Sequence, residues 1–214
     1  MTQTHPPIFN NNFRTTLIDL FKWRRDVRSF LPMPVSQSVL SDLLQLADLA
    51  PSVGLSQPWR FIMVDNPARR AAIKANFEAC NALAMAGQNQ THAGIYAKLK
   101  LAGLDQAPCQ FAVCTDLEPE QGRRLGRATM PEMTSYSTVM AIHTLWLAAR
   151  AYGLGLGWIS ILDPAAVMDV LELPGSWQLT GYFCLGYPAL TSDTPELERM
   201  GWEQRRSSPS IIYR

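Results

Sequence analysis

Between Ser135 and Tyr152 apolar residues return every three or four positions. Val139, Ile142, Trp146 and Ala149 mark one face of an amphipathic helix, and Gly153 follows where a C-terminal cap belongs. The same period sets Leu40, Leu43, Leu44 and Ala47 on one face of a helix that Ser36 caps and that ends near Pro51. Leu17 to Arg25 reads as another helix, breaking into an extended Asp26-Val27-Arg28. Asn66-Pro67 and Asp163-Pro164 each join a capping side chain to proline at the first helical position, so each starts a helix. Between these lie apolar runs too short for helices: Trp59 to Val64, Gln110 to Thr115, Gly157 to Leu162 and Leu179 to Tyr187. They are predicted strands. Helices alternating with such runs predict an α/β or α+β domain and argue against a helical bundle.

Three stretches lack a core pattern. Residues 81–108 are mostly small and polar, with Gly87, Gly94 and Gly103, although Tyr96, Leu99 and Leu101 have the bulk to pack. An excursion of that length is expected to be a functional lid. Residues 117–127 are a charged surface stretch, and the tail from Thr191 is polar and contains proline. The tail, 191–214, is expected to wrap a neighbour or the surface.

Composition narrows the function classes. A chain of 214 residues, 47% hydrophobic and 17% charged, fits one globular domain spanning 1–214. A net charge of +1 gives no electrostatic case for nucleic acid. No run reaches the roughly 20 apolar residues of a membrane span. The first dozen residues lack the apolar stretch of a signal peptide, so a cytoplasmic location is expected. Cys80, Cys109, Cys114 and Cys184 are scattered, and His5, His92 and His143 supply no ligand spacing, so no metal is expected.

The candidate chemistry lies in three segments. Arg24-Arg25-Asp26-Val27-Arg28 puts three guanidiniums at a helix break, where forked hydrogen bonds can converge on one phosphate. Read without a ligand, it is a solvated basic turn with Asp26 as counter-ion. The flanking cations favour ionised Asp26, which suits a general base or an electrostatic partner. The loop Ala50-Pro51-Ser52-Val53-Gly54-Leu55-Ser56-Gln57-Pro58-Trp59 offers a hydroxyl, bare backbone, an amide and an indole to a flat heteroaromatic ring; alone it also reads as an ordinary turn. Gly153-Leu154-Gly155-Leu156-Gly157-Trp158-Ile159-Ser160 is not a dinucleotide fingerprint. Its glycines fall at every second position, and the run leaves a helix to enter a strand. It offers backbone that a ligand can approach closely, with Ser160 at its end.

Taken together, these segments resemble the flavin-dependent nitroreductase superfamily, and within it the 5,6-dimethylbenzimidazole synthase branch. The branch pattern is carried by RRDVRSF (24–30), APSVGLSQPWRF (50–61), KLKLAGL (98–104), LGRATMPEM and YSTV within 125–139, LWLAARAYGLGLGWISILDP (145–164), CLGYP (184–188) and GWEQR (201–205). The resemblance implies an α+β nitroreductase-like fold: a central, mostly antiparallel sheet flanked by helices, in an intertwined homodimer with a lid over the flavin. It implies that Arg24, Arg25, Asp26, Val27, Arg28 and Arg205 contact FMN and its phosphate. Ser52, Gly54, Gln57, Leu156 and Gly157 would approach the isoalloxazine, and Tyr96 and Lys100 would belong to the lid. Asp26 and Ser160 match the residues tied to the chemistry.

The implied reaction consumes reduced FMN with O2. The ring system is fragmented, the ribityl C1′ becomes C2 of 5,6-dimethylbenzimidazole (the lower-ligand base of vitamin B12), and erythrose 4-phosphate leaves. A separate flavin reductase would supply FMNH2. The rival readings are an NAD(P)H-dependent nitroreductase or flavin reductase, and a non-catalytic flavin-binding protein.

Overall fold

The computed structural model describes residues 5–87 and 103–214. In chain order the elements are α1 (Asn11–Trp23), α2 (Gln37–Ala47), a 3-10 turn (Val53–Leu55), β1 (Trp59–Met63) and α3 (Pro67–Ala86). They continue as α4 (Gly103–Gln106), β2 (Cys109–Asp116), α5 (Met133–Ala151), β3 (Gly155–Ile159), α6 (Pro164–Val170), β4 (Trp177–Gly186) and α7 (Glu196–Arg199). The strands form one antiparallel sheet in the order β1-β2-β4-β3, the α+β architecture that the resemblance implied.

Both faces of this sheet are covered, which explains why its strands read as continuous apolar runs instead of alternating ones. Successive side chains point to opposite faces. Phe111 and Val113 of β2 join Phe183 and Leu185 of β4 against α2 and α5, through Leu43, Ile142 and Leu145. Ala112, Tyr182 and Cys184 face the other way, against Ile73 of α3 and Val167 of α6. The predicted caps hold: Ser36, Asn66 and Asp163 each accept from backbone amides of the first turn.

Several boundaries differ from the sequence expectation. Helix α1 starts at Asn11, capped by the Asn10 side chain, and stops at Trp23. Strand β3 starts at Gly155, two residues before the predicted run. On α5 Val139 is exposed, whereas Thr134, Ser137 and Thr138 are buried. Their hydroxyls are satisfied: the Ser137 hydroxyl donates to the Met133 carbonyl and accepts from the Val53 amide, and Thr115 donates to Thr138. Buried hydroxyls are invisible to a period counted in apolar residues.

The predicted lid, 81–108, is framework at both ends. Residues 81–86 complete α3, and Gly103 and Leu104 are buried. Gln106 accepts from the Phe30 amide through its side chain. The centre of the lid, with Tyr96 and Lys100, lies outside the described residues. Among the described residues no helix is long and apolar enough to cross a membrane.

Candidate active site at the outer edge of the sheet

Strand β3 is an end strand, so one row of its backbone groups has no neighbouring strand. The chain leaving α1 fills that role. Arg24 turns extended at the helix end, the Val27 amide donates to the Leu156 carbonyl at 3.1 Å, and the Trp158 amide donates to Asp26 Oδ1 at 2.9 Å. The indole of Trp146, on α5, donates to the Arg25 carbonyl at 3.1 Å. Asp26 therefore owes its place to a backbone amide and to the end of a helix.

The alternating glycines make this approach possible. A Cβ at Gly155 would lie 2.5 Å from Val27 Cγ2, and one at Gly157 would fall inside the contact shell of the Val27 carbonyl oxygen. The space that the sequence left open for a ligand is thus taken, on this side, by the chain's own Val27. Leu156 is fully buried in the core. Gly157→Ala is expected to destabilise the fold by about 1–3 kcal/mol through overpacking against rigid backbone. Urea denaturation of the two proteins checks it; an unchanged midpoint would show that the edge segment yields freely.

Around this edge the arginines converge. Arg24, Arg25, Arg28 and Arg205 line a cleft of about 150 Å³ with Asp26 and Glu196, and it adjoins a second of about 320 Å³ that shares Arg25, Asp26, Arg28 and Glu196. Burial and then the charge of Arg205 pull the Arg24 guanidinium below its ordinary pKa, while Asp26 opposes them. Arg25 is lowered by burial and then by Arg24 and Arg205, while Asp193 and Glu198 oppose them. The Arg25 Nε is buried with no hydrogen-bond partner. Like charges crowded around an unused buried donor are what an anion would relieve, and a phosphate fits that donor set.

The carboxyl of Asp26 departs from the sequence expectation. Flanking cations were expected to favour its ionised form. Instead burial raises its pKa, outweighing the Trp158 amide and Arg28, which lower it. The side chain is not sealed, keeping 37% of its exposure at the cleft. A carboxyl so placed keeps its proton to higher pH than a free one and can exchange it with a bound molecule.

The second motif lies elsewhere. Ser52 accepts from the Gln57 amide, and the Gln57 side chain donates weakly to the Asp48 carbonyl at 3.4 Å. Gly54 sits at φ +56°, and a Cβ there would lie 2.9 Å from the carbonyl oxygens of Gly122 and Leu125, so its own chain already requires a glycine. Gln57 lines an open cleft of about 710 Å³ beside β1. Since β1 and β3 are opposite ends of a four-stranded sheet, about 14 Å of sheet separates this loop's strand from the one that holds Asp26. One chain does not bring the two motifs together.

Arg205 is brought to Arg24 by the tail. Ser160 is exposed just past β3, two residues beyond the Trp158 amide. The sequence reading missed Glu196, whose Oε2 lies 3.4 Å from Arg28 Nε. Nothing in the spacing of the polar tail marked it. It also missed the Trp158 amide, because a backbone donor leaves no trace in side-chain motifs. Among the described residues no group of three or more His, Cys, Asp or Glu gathers to hold a metal.

The structure thus presents an arginine-lined cleft at the outer edge of a helix-flanked antiparallel sheet. The chain belongs to the nitroreductase family, whose sequence model matches residues 21–187. It is 53% identical over 205 residues to a 5,6-dimethylbenzimidazole synthase of Rhodospirillum rubrum, covering 96% of this chain and 97% of that protein. It is 50% identical over 196 residues to another of Rhodobacter capsulatus, covering 92% and 95%. Among solved structures, iodotyrosine deiodinase bound to FMN and 3-iodo-L-tyrosine aligns with a TM-score of 0.71 at 22% identity, over 92% of this chain and 97% of that one.

Proposed function

We propose that this chain is a 5,6-dimethylbenzimidazole synthase, converting reduced FMN and O2 to the base and erythrose 4-phosphate. The carrying observation is the arginine cluster with its unpartnered Arg25 Nε, set directly beside a carboxyl whose proton affinity is raised. Two relatives at half identity over nearly full length bear that name. In this reading the flavin is a substrate that supplies the ring chemistry when bound. Arg24, Arg25 and Arg205 hold its phosphate, and Val27 stays in the edge segment packed against Gly155 and Gly157. Asp26 gives or takes a proton next to the ribityl chain, and Ser160 offers a hydroxyl further along the edge.

The loop of Ser52, Gly54 and Gln57 joins such a site from a second copy of the chain. None of α1 is buried, although it carries Phe13, Ile18, Phe21 and Trp23, and Tyr136, Val139 and Met140 of α5 are exposed as well. Apolar surface on that scale suits a two-fold interface that sets the β1 edge of one copy against the Asp26 edge of the other. The tail covers its own chain's arginines as far as Arg205. Beyond it Ile211, Ile212 and Tyr213 are exposed and free to reach a partner.

The test loads the protein with FMNH2 without oxygen, admits O2 and follows products by mass spectrometry. Dimethylbenzimidazole and erythrose 4-phosphate are expected. Recovery of oxidised FMN with hydrogen peroxide alone would overturn the reading, and steady NAD(P)H consumption would replace it with a reductase.

A further inference from the structure

Arg28 stands between two carboxylates that come from distant parts of the chain. Asp26 Oδ2 and Glu196 Oε2 each lie 3.4 Å from the same Arg28 Nε. Charge-assisted pairs close to about 2.7–2.9 Å when a donor serves one acceptor. Here the Nε–H donates to Asp26 at 3.4 Å, while Glu196 stands equally far as an ion-pair partner only, and neither oxygen reaches the short range. Arg28 is the most enclosed member of this set, with 17% of its side chain exposed against 29% for Glu196. All three line both clefts. The charges facing Asp26 are then Arg24, Arg25 and Arg28 on its own segment and Glu196, Arg199 and Arg205 from the tail, with the Cys184 thiol behind it on β4.

We propose that Glu196 is a positioning residue, which draws Arg28 away from full pairing with Asp26 so that the docked tail governs the proton on Asp26. It acts through Arg28 and through its own negative charge, and touches no reacting atom. Freed of Glu196, the Arg28 Nε closes on Asp26 and stabilises its anion. Glu196 sits on α7, a single turn capped by no side chain and joined to β4 by a loop. Displacing Glu196 from Arg28 therefore changes the acidity of Asp26. The inference deepens the proposed function, resting on Asp26 as its proton-handling group, and it assigns Arg28 to Asp26 more than to the phosphate.

Infrared titration of the ligand-free protein tests it without any turnover. The protonated-carboxyl band of Asp26 is identified as the one lost in Asp26→Asn, and its midpoint is followed against pH. Glu196→Gln is expected to move that midpoint to lower pH, and Glu196→Asp, which keeps the charge, to move it less. An unmoved midpoint in Glu196→Gln, or an equal shift in both variants, would overturn the role of Glu196. That failure leaves the reaction untouched. A wild-type protein that forms no dimethylbenzimidazole would instead sink the proposed function while leaving the titration readable.

Discussion

Asp26→Asn is expected to cut dimethylbenzimidazole formation from bound FMNH2 by about 10²- to 10⁴-fold, the usual worth of a positioned acid or base. Asparagine keeps an oxygen that can accept from the Trp158 amide, so the edge segment retains its anchor. It has no proton to exchange near neutral pH. The flavin should remain bound, because the arginines persist and a negative charge beside them is gone. The measurement is single-turnover: base formed per FMNH2 bound, with oxidised FMN and hydrogen peroxide as the diverted products. Wild-type yield in the variant would reduce Asp26 to a counter-ion.

The same substitution carries a signed stability effect. The folded-state pKa of Asp26 is raised, so the folded chain binds its proton more tightly than the unfolded chain. That stabilisation is present in full below the unfolded value and is lost as pH rises through the folded value. Asp26→Asn lacks the ionisation. Its unfolding midpoint relative to wild type should therefore improve from acid toward neutral pH, and a parallel pair of midpoint curves would contradict the raised value.

Arg205→Ala is expected to weaken FMN by roughly one to two orders of magnitude while leaving riboflavin nearly unchanged. Losing a charge-assisted hydrogen bond costs about 1.5–3 kcal/mol, and riboflavin has no phosphate to lose it to. Arg205 suits the test because it is exposed and its own fold does not lean on it. In the ligand-free chain it opposes the charge of Arg24. Removing it relieves the free protein and withdraws a donor from the complex, and both effects disfavour FMN. Arg25 is a poorer probe, since it also donates to the Phe21 carbonyl at the end of α1. Titrating both flavins against both proteins decides; equal weakening would mean that Arg205 only props the tail.

Local chemistry determined much of this protein from the sequence alone. The capping side chains Ser36, Asn66 and Asp163 act within four residues, so the starts of α2, α3 and α6 were readable. Runs such as Phe111 to Cys114 and Tyr182 to Leu185 announced strands buried on both faces, because no polar residue interrupts them. The arginine segment put three guanidiniums together by composition alone, and the structure lines one cleft with them. What the sequence withheld were relations between residues far apart in the chain. The Thr115–Thr138 pair explains why α5 buries a polar face, and neither residue signals the other. The glycines at 155 and 157 are 128 and more positions from Val27, yet it is Val27 that their missing side chains admit. Asp26 was read as ionised because its neighbours in sequence are cations. Its neighbours in space are the Trp158 amide, Glu196 and the packed edge of β3, and there desolvation outweighs the charges beside it. Only the tertiary structure could decide that balance, because desolvation depends on what the whole chain stacks around a group, and sequence adjacency carries no record of it.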